Sequence, residues 1–176
     1  MKGFKTIMFK TQNLKIIKAT LDYINDYYKE FTDEICKYQY PDAFSSINDA
    51  KELLGYFIDE MNQGNMLELM ILNQNDEFIG SMEAFGLKED EIEVGLWLKK
   101  DSHGQGYGYE ALRGLVDFLN KHYPRPYYIY EVDERNLASI HLVNKLKNEK
   151  GNTNAITTES GKMLRLTAFR ILNESI

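Results

Sequence analysis

The sequence predicts a mixed α/β (α+β) domain whose central mixed sheet of about seven strands is flanked by about four helices, one unit over residues 1–176. Three observations carry that expectation. Alternating and 3.6-residue hydrophobic periods succeed one another in the order β α α β β β α β α β β. Three glycines, Gly104, Gly106 and Gly108, sit where a strand hands over to a helix. A further strand follows that helix, and a strand, loop, helix, strand unit is a crossover between parallel neighbours.

Residues 4–11 carry β-branched and aromatic side chains and read as the first strand. Asn13 reads as the cap of a helix with Ile17, Leu21, Ile24 and Tyr28 along one stripe. Residues 32–46, with Tyr38, Tyr40, Pro41 and Phe44, keep no period and read as a loop or broken helix. The clearest pattern covers 48–63, with Ala50, Leu53, Leu54, Phe57, Ile58 and Met61 on one face and Gly64 as the stop. Three strands follow in a meander, 66–72, 78–87 and 91–98, joined by polar turns. In the third, Ile92, Val94, Leu96 and Leu98 alternate with Glu91, Glu93, Gly95 and Trp97. Ala111, Leu112, Leu115, Val116 and Leu119 mark the helix after the glycines, which Pro124 and Pro126 end. Residues 127–132 read as a strand, and Asn136 as the cap of a helix with Ile140, Val143 and Leu146 among its apolar positions. Residues 155–158 and 163–171 flank Glu159-Ser160-Gly161-Lys162 as a closing hairpin.

The composition narrows the function classes. A 176-residue chain that is 43% hydrophobic can bury a full core. Its formal charge of −6, from 27 acidic and 21 basic side chains, argues against a nucleic-acid backbone as partner and makes a cationic substrate easier. No apolar run reaches membrane-span length and the first residues lack the apolar core of a signal peptide, so no membrane partner and a cytoplasmic location are expected. The single cysteine, Cys36, agrees with a reducing compartment and reads as a small buried apolar residue.

The hexad His103-Gly104-Gln105-Gly106-Tyr107-Gly108 carries the chemistry. Without Cβ its glycines allow positive φ and close approach of a ligand, and amides at a helix start cradle pyrophosphate. The Gly-Lys-Ser/Thr end of a nucleoside-triphosphate loop is missing, as is the wider glycine spacing of a dinucleotide site. The hexad, with Tyr109-Glu110-Ala111-Leu112 after it, resembles motif A of the GNAT superfamily, the acyl-CoA-dependent N-acetyltransferases. His103 stands where that motif has Arg or Gln. Asn136-Leu137-Ala138-Ser139 resembles the family's second cofactor segment, and the Tyr38-Gln39-Tyr40-Pro41 loop before a long helix is most similar to the ribosomal-protein N-terminal acetyltransferase branch.

The resemblance implies acetyl-CoA as co-substrate, no metal, and an amine acceptor, with a homodimer allowed. It implies that backbone groups of Trp97, Leu98 and Lys99 pair with the pantetheine arm. It further implies that His103, Gly104, Gln105, Gly106, Tyr107, Gly108 and Tyr109 surround the pyrophosphate, and that Asn136 and Ser139 touch the pantetheine or adenosine end. Asn136 is equally a plain helix cap, and it is also carried as a catalytic candidate beside Glu93. A protonated amine needs a proton acceptor. Glu93 leads because it shares a strand face with Gly95 and Trp97, with Glu83 on the neighbouring strand second. Glu93 is as readily the polar side of a half-exposed strand. The general acid stays unassigned, because the second cofactor helix has no Tyr and its His141 reads as a surface group. The rival reading is a silent acyl-CoA-binding module.

Overall fold

A computed structural model of the chain describes residues 7–174. Residues 4–6 of the expected first strand lie outside them. The strands are β1 Ile7–Lys10, β2 Leu14–Lys18, β3 Met66–Asn73, β4 Phe78–Phe85, β5 Glu93–Leu98, β6 Tyr127–Asp133, β7 Asn148–Thr157 and β8 Met163–Leu172. The α-helices are α1 Ile24–Glu30, α2 Ile47–Asn62, α3 Tyr107–His122 and α4 Leu137–Val143. The strands form one sheet in the order β1-β2-β3-β4-β5-β6-β8-β7. Every neighbouring pair is antiparallel except β5 and β6, as the crossover through α3 requires.

Helices cover both faces of the sheet, so its central strands bury both of their own faces. On one side Leu69, Ile71, Met82, Val94 and Leu98 pack with Leu112, Leu115 and Leu119 of α3 and Val143 of α4. On the other, Met70, Leu72, Phe78 and Trp97 pack with Tyr23, Ile24, Tyr27 and Phe31 from the α1 region and Ala50, Leu54 and Met61 of α2. Ser46 Oγ accepts from the Asp49 amide at 3.2 Å and starts α2, and Gly64 at φ 75° ends it.

The eighth strand corrects the reading of Asn13 as a helix cap. Residues 14–18 are β2, which pairs antiparallel with β3 from Leu14 opposite Asn73 to Lys18 opposite Leu69. Leu14 and Ile16 enter one core and Ile17 the other, so a strand buried on both faces produces an apolar run without alternation. Ile17 then fell by chance into step with Leu21, Ile24 and Tyr28. Asn13 instead donates its amide and Nδ2 to the Glu110 carboxylate at 2.6 and 3.0 Å, tying β2 to the start of α3.

The closing hairpin is also longer than expected, since β7 starts at Asn148 and pairs there with Ile171. Its early half is an exposed edge without a hydrophobic face, and such a strand leaves no periodic signal.

Candidate active site

β5 and β6 share one parallel partner pair, Glu93 with Ile129, and the Ile129 amide donates to the Ile92 carbonyl at 2.9 Å. Beyond that point they diverge towards the glycine loop and leave a gap in the middle of the sheet. Two cavities meet there. A cleft of about 580 Å³ runs along the glycine loop and α4, and a cavity of about 480 Å³ lies on the α1/α2 face. Tyr38, Gln39, Leu96, Trp97, Tyr130, Asn136 and Ser139 line both.

The cleft is largely a backbone construction. Gly106, at φ 84°, precedes α3, and no side chain caps that helix. Gly104 has φ 72°, and a Cβ at either position would meet nothing within 4 Å, so it is the left-handed backbone that asks for glycine. Gly108 serves packing instead: a Cβ there would stand 2.8 Å from Leu142 Cδ1 on α4. Gln105 Nε2 donates to the Asp101 carbonyl at 2.7 Å, and His103 Nε2 lies 2.8 Å from the Leu98 carbonyl, which can only accept. The imidazole therefore ties the loop to the end of β5. An uncapped helix start behind a left-handed turn, beside a gap in a sheet, fits a pyrophosphate with an amide-bearing arm.

The structure brings Trp97, Leu98, His103, Gly104, Gly106, Tyr107, Gly108, Tyr109, Asn136 and Ser139 to that cleft. Lys99 and Gln105 are placed otherwise. The Lys99 amide donates to the Ile79 carbonyl at 2.8 Å, and Gln105 faces a separate groove between β1 and α3. Asn136 Oδ1 accepts from the Ser139 amide at 3.1 Å, so it is a helix cap that also borders both cavities.

The second cavity is made of aromatic and acidic side chains, and none of its lining residues is cationic. Across the sheet Glu68 faces Glu83, and Glu83 faces Gly95. A Cβ on Gly95 would be 2.2 Å from Glu83 Oε1, so this glycine lets the carboxylate lie against β5. Burial and the nearby Glu93 push the Glu83 carboxyl up to about 8. Glu93 stands at the exposed mouth of the cavity, and its carboxyl is raised by partial loss of water around it and then by the charge of Glu131. Buried Tyr130 on β6 lines both cavities together with Ser139, and its phenol is pushed up to about 12 chiefly by burial.

Tyr130 and Glu68 escaped the sequence reading. A search for a tyrosine on α4 overlooks one on β6 that lines both cavities beside α4. Gly95 was the available signal for the carboxylates, because glycine inside a strand marks close approach by another group.

Residues 31–46 roof the junction. Lys162 Nζ, from the turn between β7 and β8, donates to the carbonyls of Cys36 and Gln39 at 2.9 and 2.7 Å and pairs with Asp42 at 2.5 Å. Lys100 pairs with Glu34, and the Arg135 guanidinium lies 5.2 Å from the centre of the Tyr38 ring. Arg135 is itself held by Asp133, at 2.7 and 2.8 Å, and holds that carboxyl at about 2. Among the described residues no group of three or more His, Cys, Asp or Glu could hold a metal ion. No helix among them is long and apolar enough to cross a membrane.

No curated protein matches the sequence. Solved structures match it in fold over nearly their whole length. The ribosomal L7/L12 α-N-protein acetyltransferase RimL in complex with coenzyme A superposes with a TM-score of 0.82 at 14% identity, covering 97% of this chain and 99% of the other. The microcin C7 self-immunity acetyltransferase MccE, in complex with acetyl-CoA and AMP, gives 0.81 at 13%, covering 92% and 93%. Spermidine N-acetyltransferase from Vibrio cholerae, in complex with CoA and spermine, gives 0.78 at 12%, covering 90% and 95%. At these identities the likeness is one of fold. Residues 13–148 match the family model of the acetyltransferase (GNAT) domain, and the chain belongs to that family.

Proposed function

We propose that the chain is an acyl-CoA-dependent N-acetyltransferase that passes an acetyl group directly to a primary amine. The observation that carries this reading is the meeting of the two cavities at Tyr130: a backbone cradle on one side and an acidic, aromatic chamber without cations on the other. Bound acetyl-CoA supplies the reactive thioester. The chain's own groups do the rest. Glu83 and Glu93 draw a cationic amine in, and a carboxyl poised near 8 can take its proton so that the nitrogen attacks as a neutral base. Tyr130 stays protonated at neutral pH and can give a proton to the departing sulfur. As the C–N bond forms the C–S bond breaks; the nitrogen gives its second proton to solvent, Glu83 releases the first one there, and solvent returns a proton to Tyr130.

The acceptor is a protein N-terminus, a polyamine, an aminoglycoside or another small amine. The spermine in the spermidine enzyme's structure and the protein substrate named for RimL support this range. A cytoplasmic location belongs to the same reading, supported by the free thiol of Cys36. The test is thiol release from acetyl-CoA with an N-terminal serine peptide, spermidine and an aminoglycoside. Release with at least one is expected. Tight CoA binding with none would favour the silent binding module.

A further inference from the structure

The innermost carboxylate of the acidic cavity has no part in that chemistry. Glu68 is 2% exposed, on β3 directly opposite Glu83. Its Oε1 lies 2.5 Å from Ser81 Oγ, and the same Oγ lies 2.9 Å from the carbonyl oxygen of Leu69. A serine hydroxyl has one hydrogen, and a carbonyl oxygen can only accept. If Ser81 donates to Glu68, two oxygens face each other at Leu69 with no hydrogen between them. If Ser81 donates to Leu69, the hydrogen in the Glu68 contact has to come from Glu68. Only a protonated Glu68 fills both contacts.

The surroundings agree. Around the pair stand Tyr27 from α1, Glu93 and Trp97 from β5, and Tyr130 and Glu131 from β6, with no cation to offset a second negative charge. Like charges directly opposite one another across strands are destabilising. Burial and the charge of Glu83 both push the Glu68 carboxyl well above its ordinary range, against the Ser81 hydrogen bond. Glu83, in contrast, has no hydrogen-bond or ion-pair partner among the described residues and borders the cavity.

We propose that Glu68 is a standing carboxylic acid and a positioning residue: it donates to Ser81, which donates to Leu69, and it leaves Glu83 as the carboxylate that exchanges a proton with the acceptor amine. This rests on the acetyltransferase reading only in its last clause. An uncharged Glu68 gives Glu83 a hydrogen-bonded, fixed neighbour and a midpoint set by burial and by Glu93. The amine proton then has one destination at the closed end of the chamber.

Two measurements test it. Carbon-13 carboxyl NMR on the Glu-labelled protein needs no turnover, with Glu68→Gln and Glu83→Gln used to assign the two resonances. The Glu68 resonance is expected to stay at the protonated position across the pH range in which that of Glu83 titrates. A Glu68 resonance at the ionised position would overturn the proposal, whether or not any amine is acetylated. The second measurement is the pH profile of kcat/KM with spermidine. Glu68→Gln keeps a neutral donor in place and is expected to show the same acid limb as the parent, because it removes no charge. Glu83→Gln is expected to lose that limb. A Glu68→Gln midpoint displaced by about one pH unit or more would mean that Glu68 carries charge in the parent. Failure of the parent to acetylate any amine would remove the acetyltransferase reading and leave the NMR result standing.

Discussion

The two cavities that meet at Tyr130 are built from different materials. The cleft along the glycine loop is made of backbone: a turn with two left-handed glycines, an uncapped helix and the open edge of a strand. The acidic chamber is made of side chains from several separate elements, and its character lies in which of them are charged. A backbone site tolerates side-chain change and fails when φ is forbidden. A side-chain site keeps its shape under isosteric change and fails when a proton is lost.

The sharpest way to break that contrast is Glu83→Gln. It is expected to lower kcat by about 10²–10⁴-fold while calorimetry finds CoA affinity unchanged. Because the carboxylate must be ionised to accept a proton, parental activity should rise as pH rises through about 8. A joint loss of CoA binding would mean that the cavities are not separable.

Next in size are the glycines. Gly106→Val puts a β-branched residue at φ 84° and should weaken CoA binding by about tenfold or more with little loss of Tm. Gly108→Val drives into Leu142 and should lower Tm as well, since it pushes α4 off α3. Calorimetric titration beside thermal melts separates the two causes.

A smaller effect is expected from Lys162→Met, which removes three contacts to the roof of the chamber. The amine KM should rise by about three- to tenfold, with CoA affinity and kcat nearly unchanged. Equal shifts for both substrates would show that the roof belongs to both cavities.

The smallest change concerns stability alone. Asp133 is held at about 2 by Arg135, below an unfolded value of roughly 3.9, so its contribution is present above about pH 4 and is lost as pH falls through about 2. Asp133→Asn should lower Tm at pH 7, with the deficit shrinking between about pH 4 and pH 2 in a series of melts.

The same contrast explains what could be read without a structure. The hexad, the helix after it and the Asn136 cap are local, and local geometry leaves a local pattern. Glu68, Ser81 and Glu83 lie on adjacent strands and are brought together only through pairing register, which no single stretch displays. Tyr130 was hidden for a related reason: the cavities it lines are completed by residues of other elements. β2 was mistaken for helix because burial on both faces erases alternation, and the first half of β7 was missed because exposure on both faces does the same. Lys162 drew no attention, since its partners are backbone carbonyls more than a hundred residues away.

The single parallel bridge between Glu93 and Ile129 has a mechanical consequence. In the hydrogen bonding of the sheet, β1–β5 and β8–β7 with β6 are two plates joined at one corner, and the corner lies at the end of the seam remote from the glycine loop. An arm that hydrogen-bonds along the seam splints one plate to the other. Stiffness becomes a measure of occupancy: amide exchange along Leu96, Trp97 and Leu98 should slow once coenzyme A fills the seam, and the whole sheet should then melt as one body.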